Sequence, residues 1–283
     1  MTPVVRIDAH HHLWDLAARE QTWTEGLPTL HRTFTMDDLV PHLVANNIDG
    51  TVLVQTINDP DETPEFLRQA FENSYIRGVV GWVDLTNDTA AQIVQLKSLP
   101  GGDLLKGIRH LVQGESDVNW LTRPDVQDGL RAVGEANLVY DILVFPHQLE
   151  AALRTVRALP EVRFVLDHCG KPRIIDGDID GWRRQMVQIA ANENVAVKLS
   201  GLVTEADHAN WSELDLQPYV QVVLDAFSPA RIMFGSDWPV CQLAATYDEV
   251  VSVTESLTAL LRHDDKVAIF GGTACDWYGM DDT

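Results

Sequence analysis

An alternation of eight short apolar runs with eight longer segments constrains the fold of this chain most strongly. The apolar runs are rich in Val, Ile and Leu and predict buried strands over residues 4–12, 50–56, 77–85, 104–112, 138–145, 162–170, 194–202 and 230–238. The longer segments predict helices over residues 36–47, 61–75, 88–99, 124–137, 147–159, 180–193, 216–227 and 247–261. Eight such pairs predict an α/β fold, a (β/α)8 TIM-type barrel, regular or distorted.

The alternative architecture is an open, doubly wound sheet. Such a sheet usually carries a glycine-rich turn after its first strand, and no GxGxxG motif follows the first apolar run here. No repeat, linker or low-complexity tract divides the chain, so we expect a single domain over residues 1–283. The barrel is therefore the favoured fold.

Composition excludes several classes of function. The formal net charge of −21 argues against nucleic-acid binding, which requires a basic surface. The cysteines, Cys169, Cys241 and Cys275, form no CxxC pair, which is typical of a reducing compartment. Neither a signal peptide nor an apolar run long enough for a membrane span is evident. We expect a cytoplasmic protein, a monomer or small homo-oligomer, that binds neither membrane nor nucleic acid.

Polar side chains collect at the predicted carboxyl ends of the strands, where barrel enzymes carry their active sites. They are His10, His12, Gln55, Trp82, Asp84, Arg109, His110, His168, Lys198, Ser200 and Asp237. Each one alone has a structural explanation, such as a hydrogen-bonded buried histidine or a helix cap. Their placement at so many strand ends together predicts an active site.

The segment DAHHHLWD, residues 8–15, holds the most specific pair. Alternate residues of a strand face the same side, so we expect His10 and His12 to enter the barrel mouth and His11 to face the helices. His168 lies in VLDHCGKP and Asp237 in MFGSDWP, at the ends of two later strands. These four side chains are the candidate catalytic group.

Residues beside this group have simpler interpretations. Gly170 is expected to adopt a special backbone conformation in a Gly-Lys-Pro turn, with Lys171 solvated. Cys169 and Cys241 are interpreted as small buried residues rather than nucleophiles.

The motifs DAHHHLW, DHCGKP, VKLSGL and FGSDWPVC resemble the amidohydrolase superfamily. More narrowly, they resemble its sugar-lactonase branch, the L-fuconolactonase-like proteins, which includes relatives of a pyrone-dicarboxylate lactonase. The likeness runs from the first strand to FGGTACDWYG near the carboxyl terminus, and GLVTEADH and DWPVCQLAATYDEV match it closely. The resemblance implies an amidohydrolase-like barrel that hydrolyses a sugar lactone.

The resemblance also carries residue roles. Metal-dependent members of the superfamily bind their first ion with a strand-one histidine pair, a strand-five histidine and a strand-eight aspartate. Here the fifth apolar run has no histidine, and His147 is expected to begin the next helix. His10, His12 and Asp237 could still hold a zinc ion with water. The branch implies turnover that requires no cofactor, with any bound zinc non-essential.

As a hypothesis, Asp237 is the general base that activates water, if burial raises its pKa toward the working pH. His10, His12 and His168 would stabilise the oxyanion that forms on the lactone carbonyl oxygen. A polyhydroxylated substrate also needs oriented donors, acceptors and apolar faces. The predicted substrate contacts are Gln55, Trp82, Arg109, His110, Asp141 and Trp238.

Alternatives to these contacts stay open at this point. Arg109 could instead pair with Asp84, Lys198 could pair with an acid inside the barrel, and the tryptophans could belong to the core. Alternative functions are a zinc-dependent amidohydrolase, decarboxylase or deaminase, and a pyrone-type dicarboxylate lactonase. The last would need several arginines at strand ends, and only Arg109 is plainly there. A non-catalytic sugar-binding barrel is disfavoured by the desolvation cost of burying three histidines and an acid together.

Overall fold

The computed structural model describes residues 5–281, and it contains the eight predicted strands. They are β1 Ile7–His11, β2 Gly50–Val54, β3 Ile76–Gly81, β4 Leu105–His110, β5 Val139–Ile142, β6 Phe164–Leu166, β7 Val195–Leu199 and β8 Ile232–Phe234. Each strand is parallel to the next in one sheet of order β1 to β8. The predicted (β/α)8 barrel is thus confirmed.

One seam of the barrel, between β8 and β1, is not closed by a regular ladder. The two edges meet through a single isolated bridge between His11 and Trp238. The Asp237 N–H donates to the His10 carbonyl at 2.8 Å, and the His12 N–H donates to the Trp238 carbonyl at 2.7 Å. The barrel is therefore nearly closed, and its seam lies beside the candidate catalytic residues.

Helices cover the outside of the sheet and one end of the barrel. They are α1 Met36–Ala45, α2 Glu62–Glu72, α3 Thr89–Lys97, α4 Pro124–Glu135, α5 Leu149–Ala158, α6 Asp180–Ala190, α7 Glu213–Ala226, α8 Tyr247–Leu257, α9 His263–Val267 and α10 Thr273–Tyr278. Capping boxes define where several helices begin. At α8 the Thr246 hydroxyl accepts a hydrogen bond from the Glu249 N–H, and the Glu249 carboxylate accepts one from the Thr246 N–H. None of these helices is long and apolar enough to cross a bilayer.

The apolar core has two parts. A large cluster lies between strands and helices, as alternate strand residues such as Leu53 and Ile108 face outward. A smaller cluster inside the barrel combines strand residues such as Val52 and Val165 with Tyr278 and other residues of α10. α10 therefore covers one end of the barrel interior and leaves the opposite end for polar side chains.

Several strands end earlier than predicted, and these early ends shape the site. β8 stops at Phe234, and the following Gly-Ser-Asp turn places Asp237 in a left-handed conformation with φ of +58°. On β1 the register shifts between Asp8 and His11, so strict alternation does not hold there. His10 and His12 nevertheless come together, as predicted.

Candidate active site

The segment that follows β6 sets the position of the third histidine. Asp167–Gly170 forms a short 3-10 turn in which His168 and Cys169 have φ of +51° and +53°. Gly170 has φ of +67°, as expected, and Lys171 shares the left-handed conformation. The turn directs His168 inward, where its Nδ1 lies 2.9 Å from the Ser200 hydroxyl beyond β7. Such conformations are uncommon outside glycine and concentrate at functional sites.

Four side chains from β1, β6 and β8 meet at the carboxyl ends of the strands. The Nε2 atoms of His12, His10 and His168 lie 3.5, 3.7 and 3.9 Å from Oδ1 of Asp237. The Nε2 atoms of His10 and His12 are 3.1 Å apart. All four side chains are buried. The structure thus brings the whole predicted catalytic group together.

Burial controls the charges of this group. Desolvation lowers the pKa of His10 and of His12, and it lowers the pKa of His168 to about 4, so the imidazoles are neutral near pH 7. Burial would raise the pKa of Asp237, but the facing His168, His12 and His10 outweigh it and hold that pKa well below its usual range. The raised pKa expected for Asp237 is therefore wrong. The carboxylate is therefore ionised near pH 7.

A buried network supports His10 from behind. Its Nδ1 lies 3.1 Å from Lys198 Nζ and 3.3 Å from Asp167 Oδ1. Asp167 also accepts a hydrogen bond from Arg109 at 2.9 Å, and Lys198 contacts Asp141 at 2.5 Å. The pairing of Lys198 with interior acids was one predicted alternative, and it is confirmed. Arg109 pairs with Asp167 and not with Asp84.

The donor set also fits a metal ion. One ligand atom each from His10, His168 and Asp237 lies within 4.8 Å of the others, and His12 Nε2 adjoins two of them. Imidazole nitrogens with one carboxylate are typical zinc ligands. His168 thus lies beside the predicted set of His10, His12 and Asp237.

A cavity of about 220 Å³ opens above this group. His12, His168 and Asp237 form part of its wall, whereas His10 lies beneath them with no exposed surface. Its other lining residues are polar (Thr56, Arg109, Gln113 and Lys171) or apolar (Trp23, Leu111, Leu143 and Val240). A six-carbon lactone is of a size that such a cavity can enclose.

Only one of the six predicted substrate contacts lines this cavity among residues 5–281, namely Arg109. Gln55 lies behind Arg109, and its Oε1 accepts a hydrogen bond from Arg109 Nε at 2.7 Å. Asp141 is fully buried and binds Lys198 and the Tyr278 hydroxyl. The polar atoms of Gln55 and Asp141 thus form hydrogen bonds within the protein, as part of the buried network, and do not face the cavity.

The other three predicted substrate contacts, Trp82, His110 and Trp238, lie outside the cavity wall. Trp82 donates to His110 Nδ1 at 3.1 Å, and His110 stacks on Trp120 with ring centroids 4.2 Å apart. Trp238 is 1% exposed and packs edge-on against Phe34, so it belongs to the core. These aromatic residues at strand ends therefore pack against other side chains and do not face the cavity.

Residues that no sequence pattern marked as substrate contacts occupy the remaining wall. Trp23 lies in the loop after β1, where no periodic pattern marks its role, and it is 37% exposed. Lys171 was expected to be solvated, but it is half-buried, with Nζ 3.4 Å from Glu205 Oε1. Cys169 and Cys241 are buried and burial raises the pKa of both thiols, as their interpretation as inert residues requires.

Comparison with known proteins agrees with this architecture. The chain is 36% identical to L-fucono-1,5-lactonase of Burkholderia ambifaria, over 98% of this chain and 96% of that protein. It is 37% identical to L-fucono-1,5-lactonase of Burkholderia multivorans, with the same coverage. A crystal structure of an amidohydrolase from Burkholderia multivorans with bound zinc superposes with a TM-score of 0.93 at 36% identity, covering 98% of this chain and all of that one. A family model described as amidohydrolase matches residues 7–280. The resemblance seen in the motifs is confirmed, and the chain belongs to the amidohydrolase family.

Proposed function

We propose that this protein is a hydrolase that opens a sugar lactone, L-fucono-1,5-lactone or a similar aldonolactone, to the sugar acid. The observation that carries this proposal is the ionised Asp237, with three imidazoles within 3.9 Å of its Oδ1, at the wall of a cavity. The names of the two Burkholderia relatives support the substrate class. An ionised carboxylate can accept a proton from the attacking water, and its low pKa favours return of that proton to the leaving ring oxygen.

In the proposed reaction Asp237 accepts a proton as the water oxygen bonds to the lactone carbonyl carbon. The carbonyl π electrons move to its oxygen, and His12 and His168 at the cavity wall, with His10 behind them, are assigned to stabilise that oxyanion by hydrogen bonds or positive charge. The bond from the carbonyl carbon to the ring oxygen then breaks as the carbonyl reforms. The proton held by Asp237 passes to the ring oxygen, which becomes a hydroxyl group. The new carboxylic acid ionises and releases one proton to the solvent.

Substrate orientation is assigned within the same proposal. Arg109 supplies a cationic donor at the wall, with Gln113, Thr56 and Lys171 as further polar partners for hydroxyl groups. The other contacts expected from the sequence, namely Gln55, Trp82, His110, Asp141 and Trp238, are proposed to act through the residues they hold in place.

The zinc-dependent form of this hydrolase is the second candidate, and the convergence of His10, His168 and Asp237 favours it. The presence of bound zinc in the Burkholderia multivorans amidohydrolase structure supports this candidate. A zinc ion would act as a Lewis acid on the carbonyl and lower the pKa of bound water. We propose that turnover does not require it, because an ester carbonyl is intrinsically more reactive than an amide.

The test is a panel of aldonolactones assayed with the purified protein. Each hydrolysis releases one proton, so a pH indicator reports the rate above uncatalysed ring opening. The proposal expects rapid turnover of L-fucono-1,5-lactone or a close stereoisomer, and none of 2-pyrone-4,6-dicarboxylate. Inactivity toward every sugar lactone would overturn it.

A further inference from the structure

A chain of hydrogen bonds joins two residues of the cavity wall, Trp23 and Thr56, to a buried carboxylate. The Trp23 Nε1–H donates to Gln21 Oε1 at 2.8 Å, and Gln21 Nε2 donates to the Thr56 hydroxyl at 2.9 Å. The same hydroxyl contacts Glu62 Oε1. Trp23 and Thr56 line the cavity, whereas Gln21 and Glu62 are buried behind them. The cavity wall is thus connected to Glu62 on α2.

The indole of Trp23 sets the direction of this chain. An indole N–H can only donate, so the side-chain atom of Gln21 that faces it must be the oxygen. The opposite orientation of the amide would place two donors together. The amide nitrogen of Gln21 therefore faces Thr56, and it can only donate. The Thr56 oxygen is consequently an acceptor toward Gln21.

Glu62 determines where the hydroxyl hydrogen of Thr56 lies. Its Oε2 accepts from the Thr56 N–H at 2.9 Å and from the Ile57 N–H at 3.4 Å, which leaves Oε1 for the hydroxyl. An ionised carboxylate can only accept, so Thr56 must donate its single hydrogen to Oε1. The Thr56 oxygen has two lone pairs, and the amide of Gln21 occupies one. The other has no partner among residues 5–281.

From these contacts we infer that Thr56 is a specificity-determining residue that presents only a lone pair to the cavity, and that Glu62 is the positioning residue that keeps it so. A lone pair accepts from a substrate hydroxyl, and it gives no hydrogen bond to an ether oxygen or a fluorine in the same place. Thr56 therefore selects for one hydroxyl group of the lactone ring. The inference rests on the proposed function only in naming a sugar hydroxyl as that donor.

The charge of Glu62 controls this polarity. A proton on Glu62 must lie on Oε1, because Oε2 already faces two backbone N–H groups. Oε1 then donates to Thr56, which turns its own hydrogen toward the cavity. Burial raises the pKa of Glu62 to about 7, against the attraction of Arg19, which pairs with Asp59 and Glu65. Thr56 is therefore an acceptor toward the cavity above about pH 7 and a donor below it.

Neutron diffraction from crystals exchanged into D2O locates this hydrogen directly. At about pD 9, well above the pKa of Glu62, we expect the deuterium of the Thr56 hydroxyl to point at Glu62 Oε1. Glu62→Gln has the same shape, and its amide oxygen must face the two backbone N–H groups. Its amide nitrogen then donates to Thr56, so the deuterium of the hydroxyl should point into the cavity.

Two neutron results would overturn the inference. One is wild-type deuterium that points into the cavity at about pD 9, and the other is deuterium that still points at residue 62 in Glu62→Gln. If this variant does not fold, the wild type at about pD 5 decides instead, because protonated Glu62 should produce the same reversal.

Fluorinated substrates give a second readout, because fluorine replaces a hydroxyl without being able to donate. L-fucono-1,5-lactone is compared at about pH 8 with its 2-, 3- and 4-deoxyfluoro analogues. At one of these positions we expect fluorine to lower kcat/KM by about 10- to 100-fold more in the wild type than in Thr56→Val or Glu62→Gln. The intrinsic effect of fluorine on ring opening is the same for every variant and cancels in this comparison.

Glu72→Gln, at an exposed position of α2, is the matched control and should keep the wild-type ratios. Fluorine effects that are equal in the wild type and Thr56→Val at all three positions would contradict the role of Thr56. A protein without lactonase activity would overturn the proposed function, and the neutron result would still decide this inference.

Discussion

Asp8 on β1 and Ser236, just beyond β8, are joined by two hydrogen bonds across the seam of the barrel. The Ser236 N–H donates to Asp8 Oδ1 at 2.8 Å, and its hydroxyl donates to Oδ2 at 2.6 Å. Asp8 also accepts from the His10 N–H and from the Tyr247 hydroxyl. One buried carboxylate thus takes the place of a regular ladder where the barrel closes, next to His10 and Asp237.

The first prediction concerns this seam. Asp8→Ala leaves buried donors of Ser236 and Tyr247 without an acceptor, so the free energy of unfolding should fall by about 3 kcal/mol. Tyr247→Phe removes a single donor and should cost about 1 kcal/mol. Urea unfolding of both variants measures the difference. A loss below about 0.5 kcal/mol for Asp8→Ala would show that the seam does not depend on this carboxylate.

The second prediction concerns the third histidine. His168→Ala removes one proposed oxyanion donor, so kcat/KM for the lactone should fall by about 100- to 1000-fold. Ser200→Ala removes only the hydroxyl that contacts His168 Nδ1 and should cost less. Steady-state kinetics of the two variants, with circular dichroism as a control for folding, checks the order. Equal losses of kcat/KM in the two variants would contradict this prediction, because they would show that His168 matters through the orientation of its ring and not through a hydrogen bond to the oxyanion.

A third prediction follows from Glu62 on α2. Burial outweighs the hydrogen bonds from Thr56 and from the Ile57 N–H, and it raises the pKa of Glu62 to about 7. The folded pKa exceeds the unfolded one, so this group's stabilisation is complete below about pH 4.5 and is lost as pH rises through 7.

Glu62→Gln cannot ionise, so its stability relative to the wild type should improve between pH 4.5 and 8, by about 3 kcal/mol. Urea unfolding at several pH values measures this trend. Glu72→Gln, at an exposed position of the same helix, controls for the loss of a negative charge. A constant difference between Glu62→Gln and the wild type across the range would refute the raised pKa.

The fourth prediction concerns the apolar part of the cavity wall, which includes Leu111, Leu143 and Val240. A lactone that ends in a methyl group should have a kcat/KM about 10- to 100-fold above that of its hydroxymethyl analogue, because the wall offers the hydroxyl no partner. Val240→Thr should reduce the ratio of the two kcat/KM values. Val187→Thr, at an exposed position of α6, should leave that ratio unchanged. A preference for the hydroxymethyl lactone would contradict the proposed orientation.

The barrel could be predicted from the sequence because strand and helix periods differ, and each of the eight apolar runs became a strand. His10, His12, His168 and Asp237 could be predicted because parallel strands of a barrel place their carboxyl ends together. The barrel and the grouping of these four side chains both follow from the local spacing of apolar and polar residues, which can be seen in the sequence.

The supporting residues could not be predicted in the same way. Asp167 precedes His168 directly, and both face the site only because β6 ends at Leu166 and the chain then enters a left-handed turn. Lys171 and Trp23 lie in loops whose paths depend on tertiary contacts such as that with Glu205. The low pKa of Asp237 required the distances to three rings, which no spacing in the sequence provides.

The most direct test of the account is the rate of L-fucono-1,5-lactone hydrolysis by chelated protein, compared between the wild type and Asp237→Asn. The chelated wild type should turn over the lactone well above the uncatalysed rate, and Asp237→Asn should lose about 100- to 10,000-fold of that rate. Equal rates for the two proteins, or wild-type activity that chelation abolishes and zinc restores, would contradict it.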